Sequence, residues 1–205
     1  MSSAAEVLRF PAVRRYLLST AFAAIGVNVL VTVLFKQTFD ITGDELDIGF
    51  IGLAQFLPAV LLLLVSGWVA DRFDRRRVSA LFLFGRAACA IALVAYTRIE
   101  PGTVWPLFAI AFVFGAVDAM LAPSRRSIAP LLAPERHFPQ VIALWTATFT
   151  ASSIVGPVIG GFLYSVGPEW GYWLAGGLEL AAVVPILLIV YAREPERITD
   201  RPTLS

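Results

Sequence analysis

Six runs of mostly apolar residues, each about as long as a helix needs to cross a bilayer, constrain this chain more than any other feature. A helix rises 1.5 Å per residue, so about 20 apolar residues cross the roughly 30 Å of hydrocarbon. The runs are Tyr16–Phe35, Ile48–Ala70, Val78–Thr97, Val104–Ala122, Val141–Val166 and Tyr172–Tyr191. Strands of a membrane barrel would be about half as long and would alternate apolar with polar residues, which these runs do not. With 58% hydrophobic and only 15% charged residues among 205, the chain lacks the polar surface of a soluble domain. The first run exceeds the roughly 7–15 residues of a signal-peptide core and reads as an uncleaved first span. The sequence predicts an all-α integral membrane protein with six transmembrane helices.

The charges sort by side. Arg9, Arg14 and Arg15 precede the first run; Arg72, Arg75, Arg76 and Arg77 join the second to the third. Arg125, Arg126 and Arg136 join the fourth to the fifth, and Arg193, Arg197 and Arg201 follow the sixth. The alternate connections hold only Lys36 and Arg98, beside Asp40, Asp44, Glu45, Asp47, Glu100 and Glu169. Lys and Arg accumulate in cytoplasmic loops, so both termini are expected in the cytoplasm and the protein in the cell membrane. One cysteine, Cys89 in an apolar run, and one histidine, His137 in a polar loop, are too few for a zinc site or Cys/His catalysis. No GxSxG elbow occurs either. The expectation is no enzyme, no metal and no nucleic-acid partner; the lipid bilayer is the medium.

Three ionisable residues fall inside the runs: Arg86, Asp118 and Glu179. A charge in the bilayer costs about 2.5–3.5 kcal/mol on insertion scales, so each must face the protein interior, water or a partner. Counted from the arginine-rich side, Arg86 and Asp118 differ in depth by roughly 6 Å, within an arginine's reach. They are expected to pair, either to pin two helices or to couple transport to an ion. Burial disfavours the charged form of a carboxyl group, which would suit Glu179 to carrying a proton; a neutral Glu bonded between helices is the alternative. Asn28 and Gln55 could line a cavity or bond between helices. In the fifth run, Ser152, Gly156 and Gly160 recur every four residues beside Pro157 and Gly161. Small residues at that spacing let another helix approach closely, and the proline favours a kink.

Two stretches carry a resemblance. Gly67, Asp71, Arg72, Arg75 and Arg76 follow the pattern G-x-x-x-D-R-x-G-R-[RK], with Asp74 where that pattern has glycine. The run SSIVGPVIGG resembles the antiporter motif G-x-x-x-G-P-x-x-G-G, matched at Gly156, Pro157, Gly160 and Gly161, with Ser152 replacing the first glycine. The chain thus resembles the N-terminal six-helix half of a major facilitator superfamily transporter. ADRFDRRRV followed by Arg86, and APSRRSIAPLLAPER after the fourth run, are most similar to the enterobactin and macrolide exporter branch. The arginine that many proton antiporters carry in mid helix four is absent. The resemblance implies inverted three-helix repeats over about 16–97 and 104–191, within a domain spanning 16–192. A cytoplasmic segment, 1–15, precedes it, and the tail 193–205 resembles an interdomain linker. It further implies alternating access driven by the proton gradient, without a bound cofactor, and export of drug-like or siderophore-like small molecules. Arg75 would reach Asp118, and Asp71 would grip a partner: a missing C-terminal half, a second copy or a companion half. A non-transporting membrane scaffold, or a truncated remnant of such a transporter, is the other reading.

Overall fold

The computed structural model describes residues 4–99 and 102–191. The tail 193–205 with its arginines, and Glu100, lie outside them. Every long element is a helix: α1 (Ala4–Val7), α2 (Pro11–Thr42), α3 (Glu45–Leu61), α4 (Leu63–Arg72), α5 (Arg75–Ile99), α6 (Trp105–Arg126), α7 (Phe138–Val166) and α8 (Pro168–Leu187). Two 3₁₀ turns, Ala129–Leu131 and Glu135–His137, link α6 to α7. Among the described residues no strand occurs. Five helices are each long and apolar enough to cross a membrane, and α3 and α4, bent by 56° at their junction, are together long and apolar enough for a sixth span.

That bend departs from the expected straight span at Ile48–Ala70. It falls at Leu62, one turn beyond Pro58; the Leu62 N–H still reaches the Pro58 carbonyl at 2.8 Å, and the hydrogen bond that Pro58 itself lacks, to Ala54, lies on its other side. Other ends also move. α2 starts five residues before the apolar run, with Pro11 in its first turn, and ends at Gly43, which takes the left-handed φ of 68° that a side chain would resist. Asp44 then caps α3 by accepting a hydrogen bond from the Leu46 N–H at 2.9 Å. Lys36 and Asp40, read from sequence as loop charges, are therefore a turn apart on α2 and paired. α6 runs on to Arg126, beyond the expected Ala122, and α8 stops at Leu187 rather than Tyr191.

α8 packs between α2 and α5; α7 lies along α2; α6 packs on α5 and on the bent α3–α4 pair. Exchanging α2 with α6, α3–α4 with α7, and α5 with α8 maps these pairings onto one another. The apolar core has two parts. One gathers Val13, Tyr16, Ala23, Leu83, Leu121 and Ala182 near the arginine-rich end. The other gathers Val29, Leu30, Leu93, Phe114, Tyr172 and Ala175 toward the opposite end. Along α2, α5, α6 and α8, the residues between these two sets include Gly26, Arg86, Asp118 and Glu179. A charged layer thus divides the core.

Candidate functional site

Arg86 sits at the centre of that layer. Its Nη2 is 2.9 Å from Glu179 Oε1, and its Nη1 is 3.7 Å from Asp118 Oδ1. The guanidinium also donates to the Ala23 carbonyl at 3.4 Å and lies over the Phe114 ring, 5.4 Å from its centroid. The close approach to Glu179 is out of line for a hydrogen bond, and neither carboxylate oxygen has a hydrogen-bond partner. The contact is therefore chiefly one of charge. The two acids differ in access: the Glu179 side chain is 1% exposed, that of Asp118 51%. Room for Glu179 exists because residue 26 has no side chain; a Cβ there would stand 3.1 Å from Oε1.

The expected Arg86–Asp118 pair forms, and Glu179 joins it. Arg125, counted from sequence with the loop arginines, lies instead in the last turn of α6. It donates to Ser19 Oγ at 3.3 Å and Thr20 Oγ1 at 3.1 Å on α2, while Ser19 donates to the Ala182 carbonyl at 2.8 Å. The signal for it was available: Asp118 and Arg125 are seven residues apart, two turns on one helix face. His137 lies in the second 3₁₀ turn of the α6–α7 connection. It is buried below α7, accepts a hydrogen bond from Arg136 Nε at 3.0 Å, and stands 3.9 Å from Glu6.

In the first motif, Asp71 and Arg72 form the last turn of α4, and Arg75 and Arg76 the first of α5. Asp71 has no hydrogen-bond or ion-pair partner among the described residues. Arg72 lies over Trp68. Arg75 does not pair with Asp118: it donates to the Ser127 carbonyl at 2.9 Å. Because α6 extends to Arg126, its terminal carbonyls meet Arg75, while Asp118 is about 13 Å farther along the helix. Asp74, the departure from the glycine pattern, is the N-cap of α5. Its Oδ1 accepts from the Arg76 and Arg77 N–H groups at 2.9 and 3.2 Å, and its Oδ2 holds Arg76 Nη2 at 3.0 Å. Partial burial works against its charge, yet these donors hold its pKa below the ordinary carboxylate value. Arg76 in turn donates to the Ile189 carbonyl at 2.6 Å and lies over Tyr191, and Arg15 donates to the Leu188 carbonyl at 2.6 Å. The motif's Gly67 has nothing within 4 Å of where a Cβ would be.

The second motif is split between two faces of α7. A Cβ on Gly156 would stand 2.4 Å from Asn28 Cβ, and one on Gly160 3.2 Å from Val29 O, so both glycines seat α7 on α2. Ser152 is buried and donates to the Thr148 carbonyl at 2.8 Å, Pro157 lies inside an unbroken helix, and Gly161 faces open space. Asn28 turns back to the Ala24 carbonyl of its own helix at 2.7 Å. Gln55 lies where α3 crosses α6: a Cβ on Gly115 would stand 2.1 Å from its carbonyl oxygen. Its Nε2 is buried without a partner.

Long apolar helices packed around a charged interior layer, one of whose acids is half-exposed, define a multi-pass membrane protein of the transporter class. The family model for the major facilitator superfamily matches residues 16–204. The chain belongs to that superfamily, whose members are transporters and not enzymes. It is 30% identical over 162 residues to the uncharacterized MFS-type transporter YfiS of Bacillus subtilis, covering 78% of this chain and 37% of the relative. To the dehydrocurvularin exporter of Aspergillus terreus it is 27% identical over 189 residues, covering 90% and 31%. To macrolide efflux protein A of Streptococcus pyogenes it is 23% identical over 185 residues, covering 86% and 44%. The chain thus spans less than half the length of these relatives.

Proposed function

We propose that this chain is the N-terminal six-helix half of a proton-coupled exporter of small molecules, working by alternating access with a second six-helix unit. The observation that carries the reading is Arg86 standing between an enclosed acid, Glu179, and a half-exposed one, Asp118. In such an arrangement Asp118 exchanges a proton with water. Its neutralisation leaves Arg86 to Glu179 alone, and the helices that share the arginine shift in relative preference. The pairing pattern that survives exchange of α2–α5 with α6–α8 supports two inverted three-helix repeats. The arginine-rich face supports cytoplasmic termini. The unpartnered Asp71 and the open faces of α4 and α7 support a companion half, and the names of the exporter relatives support outward transport.

The test is efflux from everted vesicles holding the chain with its companion half. An uncoupler should abolish transport, and Asp118→Asn should leave binding but remove its dependence on the proton gradient. Transport that survives the uncoupler would overturn the coupling; no transport from any pairing of halves would favour the scaffold.

A further inference from the structure

The last turn of α6 carries two adjacent arginines with different fates. Arg125 is committed to Ser19 and Thr20. Arg126 has no hydrogen-bond or ion-pair partner among the described residues, although it lines, with Tyr16, Ala129, Ile142 and Trp145, a cavity of about 380 Å³. That volume suits a drug-sized molecule. The cavity lies between the start of α2, the end of α6 and the start of α7. Its wall is aromatic and aliphatic, and Trp145 continues into Phe149, with ring centroids 5.8 Å apart and planes 21° apart. The Tyr16 hydroxyl is already used, donating to the Arg125 carbonyl at 3.2 Å, so the wall offers apolar surface and Arg126 the available charge. Arg75, Arg125 and Arg126 all come to this end of α6. A cationic guest would be repelled.

We propose that this cavity binds anionic aromatic amphiphiles, with Arg126 holding the anionic group and Trp145 the ring system. A planar guanidinium recognises carboxylate, sulfonate or phosphate through paired N–H donors, and an indole face gives area at low entropic cost. The inference rests on the exporter reading for its meaning, as the cytoplasmic-side subsite of the cargo. The same chemistry could be supplied by an anionic phospholipid.

The chain is reconstituted in phosphatidylcholine nanodiscs, and tryptophan quenching by 1-naphthalenesulfonate is measured against neutral 1-naphthalenemethanol. Saturable quenching by the sulfonate is expected, weakened about ten-fold in Arg126→Gln and left intact in the control Arg77→Gln, as loss of a charge-assisted hydrogen bond requires. Trp145→Leu should weaken both probes and remove most of the quenching. If phosphatidylglycerol in the nanodisc competes with the sulfonate in the wild type but not in Arg126→Gln, the occupant is lipid; if it does not compete, the site is for a soluble anion. Equal binding of both probes, or no effect of Arg126→Gln in a variant whose melting temperature is unchanged, overturns the proposal. Uncoupler-sensitive efflux without sulfonate binding would sink the subsite and leave the exporter; binding without efflux would do the reverse.

Discussion

α2 and α7 lie side by side and are nearly equal in length, 32 and 29 residues, but half of α2's most apolar stretch is buried and only 11% of α7's. α2 is walled by α8 and α7 and reaches the charged layer; α7 touches the bundle along the seam of Gly156 and Gly160 and turns Ile154, Val158, Phe162 and Val166 outward. Within its central stretch each is mostly apolar, the charges of α2 lying near its ends. What separates them is where small residues let a neighbour in. In a bilayer an apolar face can meet lipid as readily as protein, so close packing rather than hydrophobicity marks the inside.

The largest effect should come from the interior that α2 helps to close. Arg86→Met leaves Glu179 without its counter-charge and should cost about 3–5 kcal/mol, with Arg86→Met/Glu179→Met recovering most of it in detergent melts. A single variant as stable as wild type would mean the layer holds no working ion pair. Next is the α3–α6 crossing, where Gly115→Ala would force two backbones apart and should cost about 3 kcal/mol. On α7 itself, Gly156→Ala should cost about 2 kcal/mol against Asn28, whereas Gly161→Ala, facing open space, should stay within about 0.5 kcal/mol. Equal losses would break the contrast between the two faces of α7.

Smallest among the losses, Asp74→Ala should cost about 1 kcal/mol as a lost cap. Because the folded-state pKa of Asp74 is depressed, its ionic contribution is present above the ordinary carboxylate value of 3.8 and disappears as pH falls through the lower, folded value. The gap between wild type and variant should therefore narrow only in strong acid. A gap that narrowed near neutrality would point to another group.

Much of this was legible in the sequence because a bilayer leaves few choices: span number, helix class and the Arg86–Asp118 pair follow from length, depth and the cost of buried charge. Three things were not. The break at Leu62 lies a turn past Pro58, on the side where that proline's missing hydrogen bond does not act, so the residue pattern does not mark it. Glu179 joined Arg86 because Gly26 on another helix makes room, a fact about helix rotation that an all-apolar surface conceals. Arg125 was misplaced because helix ends were drawn where hydrophobicity stops, while α6 continues for a further turn into its arginines; the Arg75–Asp118 contact was expected from the resemblance, and Arg75 instead meets the carbonyl just past that extended end.

The arginines that hold helix ends have a bearing on insertion. Arg15 at the start of α2 and Arg76 at the start of α5 cap carbonyls just past the end of α8, and Arg75 those at the end of α6. These contacts close only if an even number of crossings separates the two ends being joined. Should the bent α3–α4 segment fail to cross, α8 would finish on the far side from Arg15 and the Leu188 carbonyl would lose that cap, whereas Arg76 and Arg75, four and two crossings from their carbonyls, would keep theirs. The Arg15 contact therefore acts as a parity check on membrane insertion, one that fails whenever a single crossing between α2 and α8 is missed, whichever way the bundle faces.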